Sequence, residues 1–126
     1  MVARLLHAQS RRSAGPCIAI NCGAVSRELL ESELFGYEKG AFTGATTAKP
    51  GLIAAAEGGS LFLDEVGEMP GPMQVSLLRF LDRNEYRPVG STRTHRADVR
   101  IICATNRDLQ ELVFQGRFRD DLLYRI

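Results

Sequence analysis

The apolar triplet Leu61-Phe62-Leu63 runs directly into two carboxylates, Asp64 and Glu65. A β-strand that ends this way carries both acids to the carboxyl edge of a sheet, where open α/β folds bind ligands. There Asp64 can hold Mg²⁺ directly or through water, and Glu65 can orient and polarise a water for attack on a phosphoryl group. The bland alternative is a strand end capped by exposed carboxylates, and only companion residues sharpen the reading. One such companion is Asn106, which follows a second apolar run, Val99 to Ala104. If the two strands are neighbours, its neutral amide emerges beside the acids and can hydrogen-bond a γ-phosphate or the attacking water. Taken alone, Asn106 is more simply a cap for the helix that begins near Asp108. Arg119 and Arg125 lie six residues apart on a C-terminal helical stretch that also carries Asp120, Asp121 and Tyr124. Exposed arginines on a helix usually mean solvation or weak ion pairs.

A different chemistry attaches to Phe42, which is flanked by Gly36, Gly40 and Gly44. Glycine permits positive φ and close backbone approach, so the segment reads as a mobile loop with an apolar tip. Such a ring either docks on a partner or folds back onto its own domain, and the local pattern leaves both open.

These residues need elements to position them. Val2 to Gln9 has helical spacing, and Cys17 to Ile20 reads as a buried strand. Ser26 to Phe35 reads as a helix with Ser26 as N-cap and Glu28 near the first turn. Pro50 followed by Gly51 to Glu57, with Gly58-Gly59 behind, fits a short helix with proline at its start. Met73, Leu77, Leu78 and Leu81 give Pro70 to Asn84 an amphipathic face. Tyr86 to Arg96 is polar and turn-rich, a hairpin or extended loop. Val99 to Ala104 is a buried parallel strand, followed by helices over Asp108 to Gln115 and Asp120 to Arg125. Strands alternating with helices predict an α/β domain with a parallel sheet.

Composition narrows the field. The chain has 126 residues, 44% of them hydrophobic, in the range of one domain with a single modest core. No run approaches the roughly 18 apolar residues of a membrane span, and no signal-peptide pattern opens the chain, so a cytoplasmic location is expected. A net charge of +1 offers no global field for a polyanion. The cluster Arg87, Arg93, His95, Arg96 and Arg100 reads as the solvated face of a loop near Val89 to Asp98 rather than a DNA reader. Cys17, Cys22 and Cys103 form neither a disulfide framework nor a zinc motif, and each reads as a small buried hydrophobe. His7 and His95 are isolated from one another and from any ligand cluster.

Gly40-Ala41-Phe42-Thr43-Gly44-Ala45 resembles the signature loop of the bacterial enhancer-binding proteins, the AAA+ ATPases that activate RNA polymerase carrying the sigma-54 factor. The resemblance covers essentially the whole chain, through Ile20-Asn-Cys22, the loop, Gly59 to Val66, Val99 to Asn106 and Gly116 to Arg125, in that order. It implies a partial P-loop AAA+ three-layer sandwich, with a mostly parallel sheet flanked by helices, over residues 1–126. It makes Asp64 and Glu65 the Walker B pair, with Asp64 as metal residue, and places Asn106 at the sensor I position with Thr105 beside it. Asn21 matches the residue that holds the Walker B glutamate until substrate is engaged. Arg119 and Arg125 match arginine fingers that complete the nucleotide site of the neighbouring subunit, which requires a head-to-tail ring, a hexamer in the family. The residues Gly40 to Ala45 would contact the sigma factor, ATP and Mg²⁺ would be the cofactors, and DNA would be bound through a domain absent from this chain.

Two departures qualify this. No G-x-x-x-x-G-K-[ST] is present, so the cradle and lysine that hold β- and γ-phosphates are missing. The chain is then expected to be the middle portion of an AAA+ domain, without the Walker A segment or helical lid, and inactive alone. After Pro50 this chain has Leu52-Ile53-Ala54 where relatives carry a polar pattern, which weakens the expectation of polar coupling to the Phe42 loop. Three functions follow: an ATP-driven remodeller in the intact parent domain, a non-hydrolysing sigma-factor interaction module, or a Mg²⁺-dependent phosphohydrolase using Asp64 and Glu65 alone. The last is weakest, because no third carboxylate or nucleophile accompanies them in an evident motif.

Overall fold

The computed structural model describes residues 14–126. The expected helix over Val2 to Gln9 lies outside them.

Three strands form a parallel sheet in the order β1–β2–β5, namely β1 (Cys17–Asn21), β2 (Ser60–Asp64) and β5 (Arg100–Cys103). Between them run α1 (Arg27–Phe35), the single-turn α2 (Leu52–Ala55), a 3₁₀ turn (Val66–Glu68), α3 (Gly71–Arg83) and the short antiparallel pair β3 (Glu85–Tyr86) and β4 (His95–Arg96). Two short helices close the chain, α4 (Leu109–Phe114) and α5 (Asp120–Arg125). The expected α/β architecture, a parallel sheet flanked by helices, is what the chain adopts.

Alternate strand residues point to opposite faces, and in-register parallel partners share one. Leu61 and Leu63 are fully buried, in one cluster with Leu30, Leu34 and Phe35 of α1, Ile53 of α2, Met73, Leu77 and Phe80 of α3, Leu112 of α4 and Leu122 of α5. The opposite row, Ala19–Phe62–Ile102, is exposed on β1 and half-buried on β2 and β5. The expectation that both outer strands are buried is therefore corrected. Cys17 shares this more open face and is exposed, whereas Cys22 is buried and Cys103 half-buried.

Local signals held in kind more than in detail. Ser26 occupies the N-cap of α1, yet its hydroxyl donates to the Glu28 carboxylate at 3.1 Å and caps no backbone N–H. The helix after Pro50 is shorter than expected and ends at Ala55. The α3 helix follows the expected span and ends at Asn84, whose left-handed φ of 56° halts it.

Candidate functional site

Backbone hydrogen bonds continue the sheet past the strand ends and bring the chemistry-bearing residues together. Asn21 is the register partner of Asp64, and the Cys22 N–H donates to the Asp64 carbonyl at 2.9 Å. On the other side, the Ala104 N–H donates to the Leu63 carbonyl at 2.9 Å, and the Val66 N–H donates to the Ala104 carbonyl at 3.1 Å. Asn21, Asp64, Glu65, Thr105 and Asn106 thus share one end of the sheet, because their strands are neighbours.

Within this cluster the side chains are differently held. The Asp64 Oδ1 accepts the Glu65 N–H at 2.9 Å. Glu65 adopts the left-handed region at φ 54°, ψ 48°, a strained choice for a residue with a Cβ, and so turns the chain sharply out of β2. Its carboxylate reaches back over Gly23, where an added Cβ would overlap it and would stand 3.3 Å from Asn21 Oδ1. That oxygen accepts the Gly23 N–H at 2.8 Å. Asn21 and Glu65 therefore approach one another around a glycine that keeps the space between them open.

A small cleft of about 150 Å³ is lined by Glu65, Gly67, Glu68, Thr105, Asn106 and Arg107. The Thr105 hydroxyl accepts the Arg107 N–H at 3.0 Å, and Arg107 pairs with Glu68 at 2.7 Å. Glu68 and Arg107 are additions to the residues found from sequence. Their only signal was adjacency to Glu65 and Asn106. Asn106 is exposed and does not cap the next helix, because Asp108 does so by accepting the Glu111 N–H at 3.2 Å.

Burial pushes the Cys22 thiol up to about 11, helped by the nearby charges of Asp64 and Glu65. Burial likewise raises Cys103 to about 12, with Cys22 adding to it. Both stay protonated near neutral pH, Cys22 beside Asp64 and Glu65. Among the described residues, no group of three His, Cys, Asp or Glu side chains could hold a metal unaided. The donor set still fits Mg²⁺, which commonly takes one or two carboxylates and fills its remaining positions with water and phosphate oxygens.

Arg119 and Arg125 are outside this cleft. Arg119 makes a two-point pair with Asp121, at 2.9 and 2.8 Å, which lifts the guanidinium further and holds the carboxyl below its usual range. Arg125 pairs with Asp82 of α3 at 2.8 Å. Arg119 instead borders a separate groove of about 460 Å³ between α3 and the α4–α5 segment.

The glycine-flanked loop is closed on itself. The Gly40 N–H donates to the Ala45 carbonyl at 2.8 Å, and the Ala45 N–H to the Phe42 carbonyl at 3.0 Å. Phe42 is 41% exposed and sets its ring edge-on against Tyr37 at 4.9 Å, so the ring folds back in part onto its own chain and leaves the rest of its surface open. At the loop's base, Tyr37 and Lys49 exchange backbone hydrogen bonds, and the Glu38 N–H donates to the Val89 carbonyl at 3.0 Å. Gly90, at φ 81°, leaves room for Ala41, and a Cβ there would come within 2.8 Å of it. The basic residues beyond it mostly serve their own hairpin, with Arg96 paired to Glu85 at 3.3 Å and His95 stacked on Tyr86 at 5.5 Å.

The sequence pattern of the Sigma-54 interaction domain matches residues 1–126. The chain belongs to that family. Among relatives of this sigma-54 interaction domain, the regulatory protein AtoC of Escherichia coli is 54% identical over 126 residues, all of this chain and 27% of AtoC. The NtrC regulator of Rhizobium meliloti is 55% identical over 126 residues, 26% of its length. A crystal structure of NtrX from Brucella abortus in complex with ADP superposes with a TM-score of 0.90 at 40% identity, covering 98% of this chain and 26% of that one. The P-loop NTPase domain of an E. coli sigma-54 activator, at 20% identity and a TM-score of 0.56, shares the fold. The sigma-54 interaction domain described here spans about a quarter of these full-length regulators. Among its described residues, no helix is long and apolar enough to cross a membrane.

Proposed function

We propose that this chain is the central part of an ATP-driven remodeller of sigma-54 RNA polymerase, working in the cytoplasm. The single observation that carries this reading is the meeting of Asn21, Asp64, Glu65, Thr105 and Asn106 at one sheet end in a chain of this family. Asp64 would hold Mg²⁺, which supplies charge neutralisation at phosphate oxygens when bound with ATP. Glu65 orients a water toward the terminal phosphate. Asn21 restrains the Glu65 carboxylate in one state and frees it in another, with Gly23 leaving the path open. Thr105 and Asn106 supply neutral hydrogen-bonding groups that sense whether a γ-phosphate is present. Arg119 and Arg125, lying outside their own chain's cleft, serve a neighbour's site, which implies a head-to-tail ring and, by family likeness, a hexamer. The Gly40 to Ala45 loop is the sigma-factor contact, with Phe42 and Thr43 at its exposed tip. DNA would be bound through a domain outside these residues. The phosphate cradle and the helical lid are likewise assigned to segments outside residues 1–126.

The test is a chimaera in which residues 1–126 replace the matching segment of AtoC. It should hydrolyse ATP and bind sigma-54, and E65Q should abolish hydrolysis while leaving nucleotide bound. Substitution of Phe42 or Thr43 should spare hydrolysis and abolish sigma-54 binding. Binding that survived both changes would remove the loop assignment, and a folded, ATP-binding chimaera without hydrolysis would remove the catalytic one.

A second reading, a non-hydrolysing interaction module, rests on the loop alone: its own hydrogen bonds close it and leave Phe42 41% exposed, with no part played by a nucleotide. The AtoC chimaera separates them, since a non-hydrolysing module would bind sigma-54 there without turning over ATP. Hydrolysis by the chimaera would eliminate the module reading.

A further inference from the structure

Gln74, on α3, is 1% exposed, although glutamine is rarely so deeply buried. Its side-chain amide makes three hydrogen bonds. Nε2 donates to the Met69 carbonyl at 2.9 Å and to the Arg117 carbonyl at 3.1 Å, while Oε1 accepts the Arg119 N–H at 2.9 Å. Two carbonyls and one N–H fix which end of the amide is which, so the side chain fits its site in one orientation. Its bonds to Arg117 and Arg119 bracket Phe118, whose ring is buried in the core. Arg119 then stands as the N-cap residue of α5, with its guanidinium in solvent on Asp121.

We propose that Gln74 is a positioning residue for Arg119, fixing the backbone from which its guanidinium is presented to a neighbouring subunit. This rests on the trans role given to Arg119 above. A methionine would fill the same volume but would leave the Met69 and Arg117 carbonyls and the Arg119 N–H without the side-chain partner that glutamine supplies. What glutamine adds is a hydrogen-bonded link between the helix that follows the acidic turn and the segment carrying Arg119, 45 residues later. A guanidinium that must stabilise charge at another chain's site loses effect steeply with small displacements.

The test uses the AtoC chimaera and subunit mixing. Q74M should fold, lower kcat for ATP about 100-fold and leave KM within about two-fold, the signature of a group that acts on the transition state. Mixed with E65Q subunits, which are silent but carry sound arginines, Q74M subunits should regain hydrolysis, because their own acidic sites are intact. The pair R119A and E65Q should regain it in the same way and tests the trans role independently. If the R119A pair recovers and the Q74M pair stays silent, or if Q74M alone keeps full kcat, the positioning role is overturned while the trans role stands. If R119A alone is fully active, or its mixture stays silent, the trans role falls and this inference with it. Should Q74M fail to fold, amide exchange in the unsubstituted chain decides: the Arg119 N–H should exchange at least about ten-fold slower than an open amide. Exchange at the open rate would overturn the proposal.

Discussion

The ring of Phe42 meets that of Tyr37 at 4.9 Å with 63° between their planes, an edge-to-face pair that joins the loop tip to its base. Tyr37 is itself bonded through its backbone to Lys49, so the ring contact ties an exposed side chain to a fixed strand-like segment. Such pairs contribute about 0.5–1.5 kcal/mol beyond burial. Y37A should therefore speed amide exchange at Gly40 and Ala45 without unfolding the domain. Unchanged exchange there would mean that the loop's own hydrogen bonds hold it.

Gly23 and Gly59 should respond very unequally to alanine. At Gly23 the new Cβ meets the end of the Glu65 side chain, which can swing aside, so G23A should change stability by under about 1 kcal/mol. At Gly59 it would overlap the backbone of Pro16, beside the start of the β1–β2 pairing. G59A should lower the denaturant midpoint far more, and equal midpoints for the two variants would contradict this packing.

Asp108 and Asn106 separate capping from chemistry. D108A removes the cap of α4 and should cost about 1 kcal/mol in urea unfolding, with N106A close to neutral. Hydrolysis in the chimaera should show the reverse order. A stability loss confined to N106A would return Asn106 to a structural role.

The buried thiols predict alkaline weakening. Cys22 and Cys103 have folded values raised above the ordinary 9.0, so the folded chain keeps protons that the unfolded chain releases. Their contribution is complete below about pH 9 and is lost as pH climbs toward 11 for Cys22 and 12 for Cys103. Burial also raises Tyr86 above 10.0, with Glu57 adding to it, and reinforces the trend at its upper end. The unfolding free energy from urea titrations should fall across this window, at up to about 1.4 kcal/mol per pH unit for each thiol. At pH 8, iodoacetamide should label exposed Cys17 well before the other two, and rapid labelling of Cys22 would show that its burial is wrong.

Much of the architecture was legible in the chain itself. An apolar triplet ahead of two acids, an amphipathic run from Pro70 to Asn84 and alternating strand and helix signals are properties of near neighbours, and they settled element types and the α/β class. Partial legibility marks the outer strands: their apolar residues announce strands, but whether both faces are covered depends on what packs above them, so Cys17 and Ala19 read as buried and are exposed.

By itself the sequence determined which groups were available, the acids, the amides, the arginines and the glycine-flanked Phe42, because residue type and spacing are local. Only the tertiary structure decided that Asn21 stands beside Asp64, that Val66 bonds Ala104, that Arg119 lies apart from its own chain's cleft and that Gln74 is buried against it. Those relations join residues about 40 or more positions apart, and they are set by strand order and by how helices share one core, which no local pattern records.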